Sequence, residues 1–207
     1  RAGGWAEAGR VTPGTLLGRS RLVANVQALL DTGRSVLLVG PHGSGKTAII
    51  DVVRRPGLVV VDPLVRITTP RAAALRRALD RGAVVLGAAC TLDRAEMGHV
   101  GRVVWRLEPV YLRPLDRRSI VRIIEARLRG DTGAPAVDRA WMREAVEVAA
   151  GVPGRAVALA SAAATHWRER EVILPPRLAL VVAWQDGVTG QFGSFNTAGH
   201  RPGEPSS

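Results

Sequence analysis

A single cysteine, Cys90, stands in 207 residues, so the chain can form no internal disulfide and no cysteine-based zinc site. Its thiol is expected to be a small buried apolar group. The histidines outside the glycine-rich region, His99, His166 and His200, show no metal-ligand spacing. No apolar run reaches the roughly 18 residues that a bilayer crossing needs, and the N-terminus lacks the basic, then apolar, then small-residue order of a signal peptide. Both absences predict a cytoplasmic protein with no membrane partner. Aromatic residues make up only 4%. Trp105, Trp141 and Trp167 fall in stretches with strand or helix patterning, where they read as core or packing residues and not as a base-stacking platform. The chain begins at Arg1 and not at methionine, which allows it to be a piece of a longer protein.

Acidic residues are also few. Against 29 basic residues stand 18 acids, for a net charge of +11, and such an excess attracts polyanions. Duplex DNA is therefore one expected partner. Lysine is scarcest of the charged types: 28 of the basic residues are arginine and one, Lys46, is lysine. Wholesale arginine use alongside abundant Ala, Gly, Pro and Val is also what GC-rich coding produces, which weakens charge as an argument for DNA.

What is present is an alternation of short apolar runs with helical periodicity. Residues 1–15 are Gly-rich and aperiodic and read as a flexible segment. Leu22 to Leu30 recur at helical spacing up to Thr32-Gly33. Ser35 to Val39 is a continuous apolar run, as in a strand buried on both faces. Lys46 to Arg55 reads as a helix, Leu58 to Val61 as a second strand, Arg71 to Asp80 as a helix with Pro70 at its start. Ala83 to Ala89 gives a third strand, and Arg102 to Tyr111 contains a fourth. This predicts an α/β parallel sheet in three layers over residues 16–115. From Asp116, an expected N-cap, only helices follow, to about residue 170. A small all-helical domain over 116–170 is expected, and 171–207 reads as a weakly structured tail, although Leu174 to Trp184 is apolar.

Gly40-Pro41-His42-Gly43-Ser44-Gly45-Lys46-Thr47 matches G-x-x-x-x-G-K-T between a buried strand and a helix. Glycines let successive N–H groups turn toward phosphate oxygens, and the following helix contributes its positive end. Lys46 is expected to reach the terminal phosphates and Thr47 to hold Mg²⁺. The lone lysine of an arginine-rich chain occupies the one place where a compact ammonium on a flexible stem suits a phosphate. Asp62 ends the second strand at the same sheet edge and is expected to order the metal's water shell. Pro63 follows it where fast ATPases place a water-orienting Glu, so slow hydrolysis is expected.

These motifs, in this order, resemble AAA+ ATPases, in particular the origin-recognition-like and related bacterial branches. Leu16-Leu17-Gly18-Arg19 looks like the family's opening segment against the adenine, Thr91 like the polar sensor-1 position, and Leu112 to Asp116 like the passage into the helical lid. Gly151-Val152-Pro153-Gly154-Arg155 resembles the start of the sensor-2 helix, with Gly154 inserted and Arg155 as the residue that reaches the nucleotide. The resemblance implies a P-loop NTPase fold with a helical lid, ATP and ADP as ligands with Mg²⁺, and action as a nucleotide-dependent switch. Catalytic roles fall on Lys46, Asp62, Thr91 and Arg155. Few residues separate the Lys46 helix from the Asp62 strand, where the family normally has a further strand and helix, so the sheet is expected to be abridged. Arg94 and Arg102 lie where an arginine finger of a neighbouring subunit sits, which leaves a homo-oligomer or larger complex open. Other readings are an ATPase module of a larger signalling or transcription regulator, a small-molecule kinase, and a degenerate P-loop scaffold.

Overall fold

The apolar run after Ser35 forms β1 (Val36–Val39), buried at every position, as a strand covered on both faces must be. The computed structural model describes residues 16–93, 97–130 and 136–185. Beside β1 run β2 (Val59–Val61), β3 (Val85–Ala89) and β4 (Glu108–Tyr111), all parallel, in the order β2-β3-β1-β4. Side chains alternate across a strand. Val36 and Leu38 therefore pack with Val26 of α1 (Ser20–Asp31) and Ile49 and Ile50 of α2 (Lys46–Val53). Leu37 and Val39 pack on the other face with Leu75 of α3 (Thr69–Asp80) and Val103 of the single-turn α4 (Gly101–Val104). The α/β reading holds: a parallel sheet with helices on both faces.

Only residues 54–58 join α2 to β2, and among the described residues the sheet has four strands. Strand register decides which residues meet at the sheet's end. Val39 is opposite both Ala89 and Tyr111, so Gly40, Cys90 and Leu112 leave the sheet side by side at its C-terminal edge. That edge, where β1 lies between strands reached by opposite crossovers, is where open α/β sheets bind ligands.

The fourth strand falls within Arg102–Tyr111, as the sequence predicts. Strand structure starts only at Glu108, and the preceding turn is helical, with the Trp105 N–H bonded to the Gly101 carbonyl. Trp105, expected in the core, is 74% exposed, because the turn ending α4 directs it off the sheet. Trp141 is buried, and its Nε1–H donates to the Leu174 carbonyl at 2.8 Å, while Trp167 is half-buried.

Helices α5 (Arg117–Arg129), α6 (Arg139–Ala149), α7 (Pro153–Arg170) and α8 (Pro176–Gln185) enclose a separate core. Ala156, Ala160 and Ala163 on α7 keep its neighbours close. The tail boundary at residue 170 is too early. Helix α8 buries Ala179 and Ala183 against the same core; its apolar stripe is short and made of small residues, which leaves the sequence with little periodicity there. Residues 1–15, also read as flexible, and 186–207 lie outside the described residues. Among the described residues no helix is long and apolar enough to cross a membrane.

Asp116 caps α5 as its position predicts, its carboxylate accepting from the Ser119 N–H at 2.8 Å. That backbone bond, together with the Ser119 hydroxyl, holds its carboxyl below the ordinary 3.8. A depressed acid stabilises the fold fully above its ordinary pKa and loses that contribution as pH falls through the folded value. Thermal unfolding followed from about pH 5 to about pH 2 should therefore show a steeper acid loss in the wild type than in Asp116→Asn, whose amide caps without titrating.

Candidate functional site

The turn after β1 is built on glycines in left-handed conformations that other residues rarely adopt. Gly43 has φ +73° and Gly45, the N-cap of α2, φ +96°. No side chain caps α2, so its first N–H groups, which have no partner within the helix, are left to whatever occupies the loop. The loop is anchored at its start by the Gly40 N–H to the Ala89 carbonyl at 3.2 Å and across its neck by Ser44 N–H to Pro41 O at 3.2 Å. A Cβ at Gly40 would lie 2.9 Å from Ser44 Oγ and 3.0 Å from Leu112 Cβ, so a side chain there would force its neighbours to shift.

Lys46 folds back over this turn. Its Nζ donates to the carbonyls of Gly40 at 2.6 Å and Pro41 at 2.9 Å. Burial pushes the ammonium below its ordinary pKa of 10.5, while the nearby Cys90 and Asp62 act in the opposite direction. The next residue, Thr47, donates its hydroxyl to Asp62 Oδ2 at 2.9 Å. The strand-end carboxylate and the first-turn hydroxyl, 15 residues apart in sequence, are thus brought together.

Arg19 is drawn in from below. It is only 8% exposed, its guanidinium donates to the Ser44 carbonyl at 3.2 Å, and burial lowers its pKa, although a guanidinium stays charged. Gly18 (φ +74°) meets the start of α5, where a Cβ would sit 2.6 Å from Ser119 Oγ. The pair expected beside the adenine braces the loop and joins it to the helical unit.

The start of α7 closes the loop from above. The Gly154 N–H donates to the Gly43 carbonyl at 2.8 Å, and a Cβ on Gly43 would lie 3.3 Å from Gly154 Cα. Gly154, read from the sequence as an insertion, is thus placed directly against the loop. Arg155 beside it is exposed. Thr91 does not turn to Lys46 in this structure; its hydroxyl accepts the Asp93 N–H at 3.0 Å, which caps the turn after β3.

The position facing Lys46 from β3 is Cys90. Its sulfur lies 3.9 Å from Lys46 Nζ and 3.3 Å from His42 Nε2. The expected burial of this thiol as an apolar group is incorrect: Cys90 is half-buried, because the strand ends at Ala89 and the next residue projects beyond the sheet. Arg102 is exposed on α4, and Arg94 lies outside the described residues.

No protein-family model matches this chain, and no curated protein does.

The residues fit a triphosphate with Mg²⁺ on the chemistry of the donors. The loop offers uncapped helix N–H groups, an ammonium, and a Ser44 hydroxyl that is buried without a partner among the described residues, a polar atom that a ligand can satisfy. Thr47 and Asp62 supply hard oxygens for a hard cation. Two open grooves lie elsewhere: about 530 Å³ near Arg34, Trp105 and Glu108, and about 450 Å³ along α5. Neither is lined by residues of the loop.

Proposed function

We propose that this chain binds ATP with Mg²⁺ at the Gly40–Thr47 loop and acts as an AAA+-like nucleotide-dependent switch with slow or assisted hydrolysis. The observation that carries the reading is the lone lysine: Lys46 starts α2, lies across the glycine turn, and is followed by a Thr47 already paired to Asp62. Lys46 would exchange the Gly40 and Pro41 carbonyls for β- and γ-phosphate oxygens. Thr47 and Asp62 would hold Mg²⁺, which neutralises phosphate charge when bound. Pro63 leaves Asp62 without an adjacent water-orienting carboxylate, which supports slow turnover. The helical unit would serve as a lid, since phosphates entering the loop disturb the Gly43 carbonyl that holds Gly154.

The test is steady-state phosphate release from Mg-ATP, with and without duplex DNA, beside equilibrium binding of a fluorescent ATP analogue. Asp62→Asn and Thr47→Val should each remove the gain in affinity that Mg²⁺ gives, about tenfold, while leaving the weaker metal-free binding in place. Affinity equal in all three proteins with and without Mg²⁺ would sink the metal assignment.

A second reading, association with duplex DNA, has one observation in its favour: Arg117, Arg118 and Arg122 line one open groove along α5. Contacts of this kind weaken as salt rises. DNA binding that is unchanged from low to high salt would count against it.

A further inference from the structure

Arg19 is a buried charge without a counter-ion. It is only 8% exposed, and it pairs with no carboxylate among the described residues. The backbone fixes it at the start of α1: its N–H donates to Leu16 O at 3.0 Å and its carbonyl accepts the Val23 N–H at 2.9 Å. The guanidinium makes one hydrogen bond, to the Ser44 carbonyl at 3.2 Å, and its Nε is buried with no partner. Three buried side-chain polar atoms are left unsatisfied among the described residues, and two of them, Arg19 Nε and Ser44 Oγ, belong to this one contact. Burying a cation without an anion works against the folded state. Its place against the loop therefore points to an anion that arrives from outside.

We propose that Arg19 is a positioning residue that sets the loop for the polyphosphate of a nucleotide, and that the bound anion is its missing counter-charge. The proposal rests on the nucleotide reading of the same loop. The Ser44–Gly45 peptide is trans, so its carbonyl and its N–H point opposite ways. A guanidinium that holds Ser44 O on one side thereby aims the Gly45 N–H to the other. That N–H donates to no backbone carbonyl among the described residues. Donation to the carbonyl also polarises the peptide and strengthens its N–H as a donor, and phosphate oxygens are the acceptors that successive N–H groups of such a turn receive. This role differs from the adenine contact that the family resemblance implies. It depends on the phosphates alone.

Binding of Mg-ATP, and of inorganic tripolyphosphate with Mg²⁺, is measured by isothermal titration in the wild type, Arg19→Met and Arg19→Gln, beside the Tm of each ligand-free protein. Arg19→Met should lose about tenfold in affinity for both ligands. Its ligand-free Tm should be no lower than that of the wild type, since the buried charge leaves with the side chain. Arg19→Gln, whose amide can still donate to Ser44 O, guards against a variant that fails to fold and should lose about threefold for both ligands. Tripolyphosphate affinity unchanged in both variants would overturn the proposal, and a loss confined to Mg-ATP would do so by returning Arg19 to the adenine. Weaker binding that comes with a clearly lower ligand-free Tm would overturn it by reducing Arg19 to a structural brace. All three outcomes leave the nucleotide reading intact, whereas a wild type that binds neither ligand would remove that reading and this role with it.

Discussion

Replacing Lys46 by alanine should lower Mg-ATP affinity about a hundredfold, the loss expected when bonds between an ammonium and a charged acceptor disappear. Folding stability should change by less than about 1 kcal/mol, because the bonds to Gly40 and Pro41 are offset by the desolvation of a half-buried charge. Lys46→Arg should fail almost as badly. The chain accepts arginine at 28 other places, but a planar guanidinium does not fold over a turn where the ammonium lies 2.6 Å from Gly40 O. Isothermal titration of the three proteins checks this, and equal affinity in wild type and Lys46→Ala would rule out the loop as the phosphate site. The pH dependence is a second handle. Lys46 titrates below 10.5 in the folded protein, so the ammonium's burial cost applies below that folded value and falls away as pH rises toward 10.5. Stability relative to Lys46→Ala should therefore rise across that alkaline window.

The largest loss of stability is expected at Gly151. Its φ is +73°, and a Cβ there would stand 2.6 Å from Pro114 Cβ and 2.9 Å from the Leu115 carbonyl. Its own carbonyl accepts the Leu115 N–H at 2.8 Å, so neither strand of this crossing can withdraw without breaking the other's anchor. Gly151→Ala adds left-handed strain to a collision with backbone and should destabilise by about 2–4 kcal/mol. For a chain of this size that corresponds to a fall in Tm of roughly 5–15 °C. Gly33→Ala is the control. Its φ is +77° but nothing lies within 4 Å of the added methyl, so only the conformational cost of about 1 kcal/mol applies. Equal Tm values for the two variants would show that the crossing yields.

Much of this arrangement is legible in the sequence. The strand-loop-helix around Lys46, the Asp62 edge, and the Asp cap at 116 all follow from local patterns, and they appear. What local patterns miss depends on register between distant segments. Cys90 faces Lys46 only because Val39 pairs with Ala89, a match that no spacing within either segment announces. Gly154 is an irregularity in a motif until Gly43 is placed against it. Trp105 illustrates the opposite case: its apolar neighbours suggest a strand, and one helical turn reverses its exposure. Helix α8 is hidden because alanines bury well while contributing little to a hydrophobic pattern.

The join between the sheet and the helical unit has a mechanical meaning. Each side keeps its own core, and at the loop they meet by a peptide-to-peptide bond between Gly43 and Gly154 and by the close approach of Gly18 to Ser119. Releasing such a bond to water costs only about 1 kcal/mol, little more than thermal energy. The joint is therefore closer to a magnetic catch than to a glued seam: it sets one angle, lets go under a small force, and re-seats without anything needing to be repacked.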